Sequence, residues 1–137
     1  MLTIHAGTDG EAVLVEGDRI AAVAPPAELA ALEAAYPRAR VRRWPGALGP
    51  GLVHEGPLPQ GPSPRERVHA LLSRGVTAVV GDAGEPEVRA ALTRGGLARV
   101  PAAAVLRTGG RADLAVFDTE GACIATVLAG RLVYRRR

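Results

Sequence analysis

Residues 11–23 read EAVLVEGDRIAAV. Residues 11–15 and 19–23 are two β-forming runs, and Glu16, Gly17 and Asp18 stand between them. A short polar link with a glycine between apolar runs predicts a β-hairpin, with Gly17 where a positive φ is needed. Residues 2–5 add a short strand before it. After it, Pro25 and Pro26 stop the sheet. Residues 27–36 (AELAALEAAY) are rich in helix formers, and Pro37 ends that run. Next, Arg38, Arg40 and Arg42 alternate with Ala39 and Val41. The alternation predicts a half-buried strand over 39–43 with a basic outer face.

Further along, residues 54–62 (HEGPLPQGP) hold too much proline and glycine for regular structure. Ser63 is placed as a helix N-cap, with Pro64 first in the helix and Glu66 completing a capping box. Val68, Leu71 and Leu72 form that helix's apolar stripe, and Gly75 stands near its C-terminal end. Residues 76–80 (VTAVV) are a continuous, largely β-branched run, as expected of a strand buried on both faces in a parallel sheet. A second helix is expected near 85–94. The stretch 98–112 suggests no clear element. Strands are expected at 113–117, 123–128 and 131–134, the last two joined across Ala129-Gly130. The pattern is β structure toward both ends with an α/β insert between, an α+β class of fold.

Composition narrows the function classes. The chain has 137 residues, one cysteine, three histidines and no lysine, and its 17 basic side chains are all arginine. The length suits one domain and is far short of a (β/α)₈ barrel, which takes about 200 to 250 residues. One cysteine excludes an internal disulfide or a cysteine-cluster metal site. Cys123 lies in an apolar run and reads as a core residue. The net charge is +3, equal to the contribution of Arg135, Arg136 and Arg137. Aromatic residues are 3% of the chain, too few for a base-stacking platform, so a nucleic-acid partner is not favoured. Neither a signal peptide nor a membrane span is legible, and the expected location is the cytoplasm. The arginine- and alanine-rich usage reads as that of a GC-rich bacterial genome.

Five stretches, in order, resemble parts of amidohydrolase-superfamily enzymes of the imidazolonepropionase and dihydroorotase kind. They are VLVEGDRIAAVAPPAEL (13–29), LGPGLVHEG (48–56), RVHALLSRGVTAVVGD (67–82), GGRADLAVFD (109–118) and VLAGRLVYRRR (127–137). The resemblance implies a composite β-sandwich from residues 1–53 and 105–137, with 54–104 as an α/β insert left from a TIM barrel. Such enzymes hold a metal through an HxH pair at the end of the first barrel strand. Two histidines two residues apart on a strand point to one side and can share an ion. Aligned on Pro50-Gly51-Leu52-Val53, those positions fall on Gly56 and Leu58, which cannot ligate. With no lysine, a carbamylated-lysine bridge is impossible.

The resemblance therefore implies a degenerate, non-catalytic binding or assembly protein without a cofactor. The loss of most of the barrel leaves strand 76–80 to be covered by the insert or by another chain. The expected partner is a second copy or a separate enzyme subunit. The alternative is a small metal-dependent hydrolase or deaminase acting on non-peptide C–N bonds, with zinc or iron at a site rebuilt from His54, Glu55 and Asp82. These residues close two strands that would face one crevice if parallel and adjacent. His69 reads as a surface or satisfied helical residue, and His5 receives no role. Gly81-Asp82-Ala83-Gly84 reads as a turn, since it lacks a phosphate-loop pattern. Ser63 reads as a cap, and Ser73 has no nucleophile context.

Overall fold

A computed structural model describes residues 1–81, 84–100 and 106–137. The strands are β1 (Leu2–Ala6), β2 (Asp9–Gly10), β3 (Ala12–Glu16), β4 (Arg19–Ala24), β5 (Arg40–Arg43), β6 (Ala47–Pro50), β7 (Leu52–His54), β8 (Val76–Val80), β9 (Ala98–Val100), β10 (Leu114–Phe117), β11 (Cys123–Leu128) and β12 (Arg131–Arg135). The helices are α1 (Leu29–Ala35), preceded by a 3₁₀ turn at Pro26–Glu28, α2 (Pro64–Leu72) and α3 (Pro86–Gly95). The fold is mixed α+β, with no closed barrel among the described residues.

The first sheet runs β4-β3-β1-β5 and the second β12-β11-β10-β6-β2. The hairpin β3–β4 forms as expected, and Gly17 takes φ +61°. The second sheet joins C-terminal strands to β6 and β2, so distant segments build one layer. Val13, Val15 and Ile20 of the first sheet pack with Leu48, Leu114, Val116, Ile124 and Val127 of the second. Alternation puts these side chains on facing surfaces, giving a two-sheet core. Burying each of the larger ones stabilises the fold by about 1.5–3 kcal/mol.

The third sheet, β7-β8-β9, is parallel throughout. Helices α2 and α3 pack beside it through Val68, Leu71, Val88, Ala91 and Leu92. Ser63 caps α2 as expected, its Oγ accepting the Glu66 N–H at 3.2 Å. Leu128 of the second sheet belongs to the same cluster as these helical residues. The Thr126 hydroxyl on β11 donates to the Leu72 carbonyl at 2.6 Å, tying α2 to the sandwich. Residues Val76–Val79 of β8 are all buried within this one chain, so β8 itself does not call for a second chain.

One expectation needs correction. On β5 the expected alternation breaks at two residues: Val41 is 37% exposed and Arg42 is half-buried, while Arg40 is exposed as expected. Arg42 turns inward because it stacks on an aromatic floor, its Cζ lying 5.8 Å from the centroid of the Trp44 ring. The cation–π attraction offsets part of the cost of burying the guanidinium stem. His5, given no role from sequence, is 4% exposed and hydrogen-bonded within the fold. Three short strands, β2, β6 and β9, have no counterpart among the elements expected from the sequence. No helix is long and apolar enough to cross a membrane among the described residues.

Candidate functional site

Two regions concentrate chemistry. The first is the crevice at the C-terminal ends of β7 and β8. These strands are parallel neighbours, with His54 opposite Val79, so the expected juxtaposition of strand ends is present. A cavity of about 310 Å³ opens there between Gly56, Pro57 and Leu58 on one side and Val80, Glu85 and Val88 on the other. Arg67 closes its rim, its Nε donating to the Pro59 carbonyl at 2.9 Å.

The residues expected to work in this crevice are not assembled in it. His54 is half-buried at the strand end, and its Nε2–H donates to the Pro57 carbonyl at 2.9 Å. Glu55 points into solvent. Neither lines the cavity. Asp82 lies outside the described residues, as does Ala83 of the glycine-flanked turn. Gly56 takes φ +83° in an exposed bend. Leu58, at the second aligned histidine position, is 6% exposed and packs with Val68 and Leu71. Neither of the two positions aligned with the HxH pair can ligate a metal, so these residues do not fit one. Among the described residues no three His, Cys, Asp or Glu side chains converge as ligands.

The other residues singled out have structural work. His69 is exposed on α2 and meets the Tyr134 ring edge-on at 6.4 Å. Ser73 donates its hydroxyl to the Ala70 carbonyl at 2.9 Å. Cys123 is buried, and burial pushes its thiol pKa up.

The second region joins the basic strand 38–43 to the basic tail, which the sequence suggests only as a nucleic-acid surface, a reading it does not favour. Trp44 follows β5, and its indole N–H donates to His5 Nδ1 at 3.2 Å. The two rings are nearly parallel, 6° apart. An accepting Nδ1 places the imidazole proton on Nε2, so the ring is neutral. Burial, and then the charge of Arg42, lower the His5 pKa from 6.5 to about 4. Over the indole lie two guanidiniums, Arg42 from β5 at 5.8 Å and Arg135 from β12 at 5.6 Å. Burial, with Arg40 and Arg135 nearby, lowers the Arg42 pKa from its ordinary value. The one signal in the sequence was the arginine spacing at 38–43 together with the basic tail. Its meaning depended on Trp44 being buried between them, which no local pattern indicates.

No family model matches the chain, and no curated protein matches it. Among solved structures, the fold is similar to the crystal structure of Helicobacter pylori aminofutalosine deaminase, with a TM-score of 0.45 and 13% identity. That alignment covers 60% of this chain and 29% of the deaminase, so the matched region spans under a third of that protein.

Proposed function

We propose that this chain is a non-catalytic binding or assembly module on an amidohydrolase-like composite sandwich. The observation that carries this reading is the end of β7. The two positions aligned with metal-binding histidines hold Gly56, in an exposed bend, and Leu58, in the helical core. The nearby His54 spends its Nε2–H on the Pro57 carbonyl. Restoring a ligand at 58 would place an imidazole among Val68 and Leu71, where an unsatisfied polar group costs about 1–3 kcal/mol.

The assembly part of the reading rests on the third sheet. With order β7-β8-β9, both outer strands keep an unpaired edge among the described residues, and Leu52 on β7 is 44% exposed. Such edges present free N–H and C=O groups to another strand. A second copy of the chain, or a separate subunit, is the proposed occupant.

Titration calorimetry with zinc and with ferrous iron tests the non-catalytic part. The expected result is no stoichiometric site. One tightly held ion per chain, lost in His54→Ala, would instead support the rebuilt hydrolase site at His54, Glu55 and Asp82. Light scattering at high micromolar concentration tests assembly. A dimer or larger species is expected, and Leu52→Lys should weaken it. A strict monomer would overturn the self-assembly part.

A further inference from the structure

We propose that the cleft between β5 and β12 is an anion site that takes the diphosphate group of a small molecule. This inference does not depend on the reading of the β7 crevice, since the two regions share no lining residue.

β5 is the outermost strand of the first sheet and β12 the outermost strand of the second. Their side chains bound one cavity of about 250 Å³, with Trp44 at its floor. Five arginines reach it: Arg40, Arg42 and Arg43 from one side, Arg135 and Arg136 from the other. Two are already neutralised, Arg43 by Glu33 and Arg136 by Asp118. Among the described residues no carboxylate pairs with Arg40, Arg42 or Arg135. Three uncompensated cations therefore share one small cleft, and their mutual repulsion is a standing cost.

Guarding a sheet edge requires charge at the rim. It does not require Arg42 to turn inward at half burial, nor two guanidiniums held over one indole. That arrangement gathers both guanidiniums on one ring before a ligand arrives, which reduces the ordering cost of binding. Guanidinium forks match phosphate oxygens bidentately. Three free charges suit a diphosphate better than a monoanion. Trp44 is 5% exposed and offers no open face for a base, so the recognised part is the phosphate and not a nucleobase.

Trp44 is the chain's only tryptophan, so the emission has one source, which lines this cleft. Inorganic diphosphate is titrated into the full chain at pH 7 and low salt, by calorimetry and by fluorescence. One site per chain and a change in Trp44 emission are expected. Arg42→Gln and Arg135→Gln should each weaken binding about tenfold, the loss expected for a charged hydrogen bond. Arg42→Lys, which keeps the charge and is easier to accommodate, should also weaken it. Arg65→Gln on α2 should leave it unchanged. Circular dichroism checks that each variant is folded. Absence of heat and of an emission change at millimolar diphosphate overturns the proposal. So does an equal response to chloride at matched ionic strength, or an equal loss in Arg65→Gln. Single-stranded oligonucleotide that binds more tightly and is not displaced by diphosphate would make the surface a nucleic-acid interface, and would overturn it too.

Discussion

Trp44 and His5 stand 39 positions apart in sequence, yet the indole N–H of one ends on Nδ1 of the other at 3.2 Å. The bond works only while the imidazole is neutral, because a protonated Nδ1 has no lone pair to offer. In the unfolded chain His5 titrates near 6.5, and in the fold near 4. Between these values the unfolded state binds the extra proton, so stability rises with pH. The contribution is complete above about pH 6.5 and is lost as pH falls toward 4. At pH 4 the fold should be about 3 kcal/mol weaker from this residue, at 1.36 kcal/mol per pKa unit. Urea unfolding of the wild type and of His5→Leu from pH 4 to 7.5 checks this. The variant should be less stable at pH 7 but should show a flatter slope.

Thr126 is fully buried, and its hydroxyl reaches the last residue of α2, donating to the Leu72 carbonyl. Thr126→Val keeps the shape and removes the donor. It should cost about 1–2 kcal/mol in chemical denaturation. Thr126→Ser, which keeps the donor, should lose less.

Arg111 gathers three segments at once. Its Nε donates to both Asp113 carboxylate oxygens, at 2.9 and 3.0 Å, its Nη1 to the Gly96 carbonyl at 2.8 Å, and its Nη2 to the Thr77 carbonyl at 3.2 Å. Asp113 also accepts the Ala129 N–H at 2.9 Å. Arg111→Ala should destabilise by about 2 kcal/mol. Paired with Asp113→Ala in a double-mutant cycle, the two losses should not add, since the side chains share one network. Additive losses would show that the two act separately.

Gly75 takes φ +86°, and a Cβ there would come within 2.7 Å of the Phe117 ring and 3.1 Å of Ala115. Backbone strain and overpacking act together at this point, where the turn after α2 meets β10. Gly75→Ala should cost about 1–3 kcal/mol. Gly56→Ala has nothing to strike and bears only the conformational part, so it should cost less. Thermal melts of the pair separate the two effects.

Much of the architecture was legible because its signals are local. The hairpin around Gly17, the cap at Ser63 and the β-branched run of β8 each need only their neighbours to be read. The face of β5 was not legible. Alternation says that Arg42 opposes Val41, but not which of them faces the fold. That was decided by Trp44, whose burial rests on the distant His5. At the crevice, the sequence left the adjacency of β7 and β8 as a condition, and the parallel pairing meets it. The fate of His54 was not legible, because it depends on the bend at Gly56 bringing the Pro57 carbonyl back to the imidazole. β2, at two residues, is too short to leave a periodic trace.

The pairing of β6 with β10, Leu48 against Val116, has a consequence for how the chain comes off the ribosome. The four strands of the first sheet are all synthesised by residue 43, and the parallel layer and its helices follow. The apolar side of Val13, Val15 and Ile20 then has only Trp44 and Leu48 to cover it until β10 to β12 are made. Closure across so long an intervening stretch is slow. Between the making of β5 and of β10 the nascent chain thus carries a largely uncovered greasy sheet, and that interval is where it is most exposed to aggregation and to chaperone capture.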